Sequence, residues 1–136
     1  MPVPPLPDDV AALLARPNPA VMATVASDGR PVTVATWYLV EEDGAVLLNL
    51  DASRARLNHL RTDPRVSLTA LAESNWYTHV SVQGTVVSIE EDTDLVDIDR
   101  LSTHYTGNPY PTRDRARVSV RVRIDRWHGW GAAKQD

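Results

Sequence analysis

The densest chemistry in the chain is Ser53-Arg54-Ala55-Arg56. It follows a β-rich stretch and opens a helical segment, where the first backbone N–H groups have no partner in the helix. Two guanidiniums, a hydroxyl and those N–H groups make a compact anion site, because a guanidinium forks onto phosphate oxygens and a helix start adds positive potential. The same four residues also fit the solvated first turn of a surface helix, and spacing alone leaves both readings open.

Aromatic pairs are the second feature. Trp37-Tyr38 closes one predicted strand, Trp76-Tyr77 opens another, and Trp127 and Trp130 flank His128. Such residues flank planar ligands, but in a chain without Phe they also serve as the large core residues. His59, His79, His104 and His128 show no HxH or HxxxH spacing, so no metal site is expected, although an axial haem ligand stays open. GxSxG, GxGxxG and Walker patterns are all missing, which removes the usual serine hydrolase and nucleotide-binding routes. Arg117, Arg121 and Arg123 make a one-sided basic strip on the last predicted strand, read either as a solvated face or as an anion contact.

Cysteine is absent, which excludes disulfides, thiolate catalysis, iron–sulfur clusters and cysteine-ligated zinc. The only lysine is Lys134, so a Schiff base is not expected and phosphate binding falls to arginine. A net charge of -4 argues against a nucleic-acid partner. No run approaches the roughly 20 apolar residues that cross a bilayer, and MPVPPLPDD has no apolar leader segment. The expectation is a cytoplasmic protein with no membrane partner.

The 136 residues suffice for one domain, 1–136, entered through a Pro-rich arm at 1–7. Asp8 or Asp9 is placed to cap a helix carrying Val10, Leu13 and Leu14, which Pro17 ends. From Ala20 onward the texture is β, with turns at Asp28-Gly29 and Asp43-Gly44 that predict a three-stranded meander and a hairpin between 31–40 and 45–50. A short helix is expected within 52–62, then strands at RVSLTALA and WYTHVSVQGTVVSIE, with a bend or bulge at Gly84. Glu90, Glu91, Asp92 and Asp94 suit the start of a helix over 90–106. A last strand follows at ARVSVRVRID, with Val118, Val120, Val122 and Ile124 on one face. About six antiparallel strands with short helices most simply close as a small barrel, which encloses little space. A sizeable cofactor would then lie on the outer wall or between subunits, so a homodimer is expected.

Three stretches, LRTDPRVSL, YTGNPYP and the closing HGWG, occur in this order within a chain opening LPDDVAALLARPNPAVMATVASDGRPVTVATWY. Together they resemble the pyridoxamine 5'-phosphate oxidase-like, FMN-binding split β-barrel proteins, and among these the deazaflavin (coenzyme F-420)-dependent oxidoreductases. The resemblance implies a mainly β fold, a six-stranded antiparallel split β-barrel that dimerises, with the cofactor in a groove formed by both subunits. It places the cofactor's phosphate end at Ser53, Arg54 and Arg56, and its ring along the strands holding Thr36, Trp37 and Asn49. The other subunit would add residues around Trp76 to His79 and the 105–110 loop. Where such proteins often carry Lys in the phosphate turn, this chain has Arg56, and Asn58-His59 stands in place of the more usual Arg-Asn. The implied activity is hydride transfer from reduced coenzyme F-420 to a small planar or conjugated substrate. Alternatives are an FMN-dependent oxidase or reductase of the same fold and a non-catalytic flavin- or haem-binding protein. Tyr77, His79 and Tyr110 are the candidate proton donors.

Overall fold

The computed structural model describes residues 1–135. Its strands are β1 (Ala20–Val25), β2 (Pro31–Thr36), β3 (Leu39–Val40), β4 (Val46–Asp51), β5 (Arg65–Leu71), β6 (His79–Glu91) and β7 (Arg117–Trp130). Helix α1 is Asp8–Leu14, α2 is Ala55–Thr62 and α3 is Val96–Thr106. The sheet is antiparallel in the order β2-β1-β5-β6-β7-β4-β3, so seven strands replace the six expected. Among the described residues, no helix is long and apolar enough to cross a membrane.

The extra strand arises because the predicted run 31–40 is two strands. β2 pairs with β1 through the Asp28-Gly29 turn, whereas β3 pairs with β4 through the Asp43-Gly44 turn, and β2 does not neighbour β4. The expected three-stranded meander is therefore two separate hairpins. Both turns use the predicted chemistry: Gly29 and Gly44 take φ of 87° and 88°, and Asp28 and Asp43 each accept the N–H two residues on, both at 3.0 Å. Tyr38 causes the break. It turns fully inward, its hydroxyl donating to the Leu14 carbonyl at 2.5 Å and accepting from Asn18 Nδ2 at 2.9 Å, so the ladder stops between Thr36 and Leu39.

That break also shows that the sheet curls. β2 and β3 are its opposite edges; in a flat sheet they would lie roughly 29 Å apart. Only Trp37 and Tyr38 join them, and three Cα steps span at most ~11 Å. The edges must therefore approach each other around a seam, as in a split barrel.

The barrel is filled by alternate residues of its strands, including Met22, Leu48, Leu68, Val80, Val82 and Val120, with Val10 and Leu14 of α1 and Leu57 and Leu60 of α2 packed against them. α1 is preceded by Pro7 and has no side-chain cap, so Asp8 and Asp9 lie in its first turn and neither serves as the cap expected. β4 is apolar on both faces because its outer face is covered as well: Leu47 packs with Ile98 and Leu101 of α3, flanked by Trp37, Leu39 and Tyr110.

Of the acidic cluster, Glu90 and Glu91 belong to β6, while Asp92 does the helix-start work. Its carboxylate accepts the N–H groups of Asp97 and Ile98, both at 2.9 Å. Between them, a 3₁₀ turn at Thr93–Leu95 places Asp94 and Leu95 at φ of 60° and 59°. Gly84 marks a register shift between β6 and β7, as its position in the strand predicted. A side chain there would run into the Arg123 carbonyl oxygen and the Val122 side chain.

Candidate functional site

Pairing of β4 with β7 sets Asp51 opposite Arg117, so the end of one strand and the start of the other flank the first turn of α2. A polar pocket of about 350 Å³ opens there, lined by Asp51, Ser53, Arg54, Arg56, Tyr110, Thr112, Arg115 and Arg117. All three predicted anion-turn residues lie in it. So do Arg115 and Arg117, from a distant part of the sequence.

The charges in this pocket are unequally matched. Asp51 pairs with Arg115 and accepts the Ser53 N–H at 2.9 Å and the Ser53 hydroxyl at 2.7 Å. The Arg115 guanidinium, with the Ser53 N–H and hydroxyl, holds the Asp51 carboxyl well below the usual carboxylate range. Among the described residues, no carboxylate pairs with Arg54, Arg56 or Arg117. Arg56 is half-buried, with one guanidinium nitrogen against the Met22 sulfur at 3.4 Å. Burial, and then the like charges of Arg54 and Arg117, push its pKa down. A guanidinium so placed remains charged and gains from meeting an anion. Arg117 is aimed by Asn49, whose Oδ1 accepts its Nε–H at 2.7 Å, and it lies over the Tyr110 ring at 4.9 Å.

A larger, more apolar groove of about 830 Å³ shares Arg56, Tyr110 and Arg117 with this pocket. Its lining includes Thr36, Trp37, Asn49, Val21, Leu71 and Tyr105. Trp37 stacks on Tyr105, and Tyr110 meets Trp37 edge-on at 6.3 Å. Asn49 holds the floor: its Nδ2 donates to Asp92 at 3.0 Å and to Ser119 Oγ at 3.2 Å. Thr36, Trp37, Asn49, Arg54, Arg56 and Ser53 therefore line two adjacent cavities that share Arg56, Tyr110 and Arg117, one more apolar and aromatic, the other cationic. These residues fit a planar ring carrying an anionic tail.

Tyr105 and Tyr110 of the 105–110 segment pack on Trp37 of their own chain, because α3 covers β4. Trp76, Tyr77 and His79, expected from the second subunit, lie away from the groove of their own chain. They sit at the turn into β6, where Trp76 and Tyr77 are 72% and 55% exposed. Tyr77 meets Trp130 edge-on at 6.5 Å, and His79 faces His128 at 6.2 Å. The basic strip also divides: Arg121 pairs with Asp97 and Arg123 with Asp125, leaving Arg117 to the pocket. Arg117 reaches the pocket through β-sheet register and Arg115 through the turn just before β7, whereas Tyr105 reaches the groove through helix packing. The sequence signal for them was the YTGNPYPTRDR loop and the strand start that follows it.

The fold has solved relatives. An F420 reductase superposes with a TM-score of 0.81 at 25% identity, covering 90% of this chain and 98% of that one. A conserved hypothetical protein from Mycobacterium tuberculosis gives 0.74 at 26% identity, covering 94% and 86%. The HupZ protein of Group A Streptococcus, at 11% identity and a TM-score of 0.69 over 97% and 99%, shares the fold. No curated protein matches this chain in sequence. The pyridoxamine 5'-phosphate oxidase family model matches residues 6–131, nearly the whole chain, and the chain belongs to that family.

Proposed function

We propose that this protein is an oxidoreductase that holds reduced coenzyme F-420 in the adjacent cavities and reduces a small planar or conjugated substrate. The observation that carries this reading is the set of carboxylate-free guanidiniums, Arg54, Arg56 and Arg117, opening onto the Trp37–Tyr105 groove. The similarity to an F420 reductase supports the deazaflavin over FMN. Bound there, the cofactor supplies the hydride.

The chain supplies position and surroundings. Arg54, Arg56 and Arg117 grip the phosphate by charge-assisted hydrogen bonds. The stacked pair of Trp37 and Tyr105 forms an aromatic side of the groove that keeps water from the ring. Tyr105 keeps its proton, since its hydroxyl is buried and donates to the Asn18 carbonyl at 2.7 Å. Tyr110 lines both cavities and is the better placed hydroxyl to give a proton to product. The working unit on this reading is a homodimer. The exposed Trp76 and Tyr77, with Trp130 and His79 beside them, are the surface that meets the second copy and completes its groove.

Titration of the purified protein with F-420 and with FMN, read by fluorescence, tests the cofactor. Micromolar binding of F-420 with weaker binding of FMN supports the reading. A yellow protein that retains FMN through purification would instead favour the FMN enzyme, and tight binding without turnover of any acceptor a carrier. Analytical ultracentrifugation tests the dimer.

A further inference from the structure

The cationic pocket already contains an anion belonging to the chain. The Asp51 carboxylate engages the Ser53 N–H, the Ser53 hydroxyl, and both Nε and Nη2 of Arg115, the last at 3.1 Å. Those are the donors that a bound oxyanion would use at this turn. Asp51 is the last residue of β4, is 9% exposed, and is held opposite Arg117 by the sheet. Its carboxylate is thus fixed in place and cannot drift aside when a ligand arrives.

We propose that Asp51 is a specificity-determining residue: it fills one half of the anion pocket, leaves the half formed by Arg54, Arg56 and Arg117 open, and so admits a ligand with a single phosphate while turning away the adjoining phosphates of a diphosphate. The inference rests on the phosphate reading of those three arginines. It selects for flavin-type ligands carrying one phosphate, as monoester or diester, and against dinucleotide ligands, whose second phosphate would meet a carboxylate where it needs a cation. Asp51→Asn keeps an acceptor for Ser53 but removes the charge that holds Arg115. That guanidinium then becomes available to a second phosphate.

Isothermal titration of the full chain with inorganic phosphate and with pyrophosphate tests the proposal. The wild type is expected to bind pyrophosphate no more than a few-fold tighter than phosphate. Asp51→Asn should raise the pyrophosphate-to-phosphate preference by about tenfold or more, the gain expected from one freed charge-assisted contact. Arg115→Gln, which leaves Asp51 charged and unpaired, should weaken both anions and create no such preference. Asp43→Asn, an equal charge change in the exposed turn between β3 and β4, should alter neither. A wild type that already prefers pyrophosphate by more than tenfold overturns the proposal, as does a folded Asp51→Asn with an unchanged ratio. Should Asp51→Asn fail to fold by circular dichroism, the wild-type ratio and Arg115→Gln still decide. Phosphate binding that persists in Arg54→Ala with Arg56→Ala would remove the phosphate reading itself, and this inference with it.

Discussion

Trp37 and Tyr105 lie face to face, their ring centroids 5.3 Å apart and their planes 13° from parallel. A residue just past β2 and one near the end of α3 thereby form one stacked aromatic pair at the groove. The Tyr105 hydroxyl fixes it, donating to the Asn18 carbonyl at 2.7 Å and accepting the Tyr38 N–H at 3.3 Å. Asn18 in turn donates to Tyr38 and to the Leu13 carbonyl, so the groove wall is tied to α1 through buried hydrogen bonds.

Burial raises the Tyr105 hydroxyl from 10.0 to about 12 and lifts Tyr38 further still. The unfolded chain releases these protons near pH 10 while the folded chain keeps them, so the stabilisation is complete below about pH 10 and is lost as pH rises toward about 12. Denaturant unfolding followed between about pH 9 and about pH 12 should show this fall. Tyr105→Phe should make it shallower and, by leaving Asn18 and Tyr38 backbone groups unpaired, cost about 1–3 kcal/mol at neutral pH. Parallel wild-type and variant curves would contradict the assignment.

Arg56 is held among like charges without a carboxylate, so its value lies in binding and not in folding. Arg56→Gln should leave the melting temperature unchanged or higher in the absence of ligand. Arg54→Ala with Arg56→Ala should weaken cofactor binding by two or more orders of magnitude, each charge-assisted contact contributing about 1.5–3 kcal/mol. Thermal melts and a binding titration on the same samples separate the two effects.

Asp92 supports the site from behind. Besides the first N–H groups of α3 it accepts Asn49 Nδ2, and Asn49 aims Arg117. Asp92→Ala should cost about 2 kcal/mol or more in urea unfolding. The exposed neighbour change Glu91→Ala should stay within about 0.5 kcal/mol. Equal effects would show that the cap is unimportant.

Gly84→Ala should be more damaging than Gly29→Ala, though both alter a glycine in or beside a strand. At Gly84 the new methyl meets the Arg123 carbonyl and Val122, an overpacking that costs about 1–3 kcal/mol or more. At Gly29 the space is open, and the cost is about 1 kcal/mol for a side chain at positive φ. Comparative denaturation of the two variants checks the order.

What the sequence disclosed were its local devices. The Asp-Gly turns, α2 after Ser53-Arg54, the irregularity at Gly84 and the alternation of Val118 to Ile124 each depend on neighbours in the chain. The division of 31–40 was hidden because it depends on Tyr38 finding Leu14 and Asn18, from an element folded earlier in the chain. The polar pocket was half legible: Ser53, Arg54 and Arg56 are contiguous, whereas Arg117 arrives through pairing of β4 with β7 and Arg115 through the turn just before β7. Tyr105 and Tyr110 sit beside Trp37 of their own chain through the packing of α3 on β4, a contact between distant elements that no local pattern reveals.

β7 lies between β6 and β4, and through β4 it also ties in β3. Until Arg117–Trp130 is in place, Val46–Asp51 has no inner neighbour along its open edge, and its run of valine and leucine is exposed to other chains. Such a distant pairing is slow to form, which leaves the growing polypeptide adhesive for as long as that partner is missing. The strand that brings Arg117 to the anion pocket is thus also the one that ends this vulnerable period, so ligand recognition and protection from aggregation begin together.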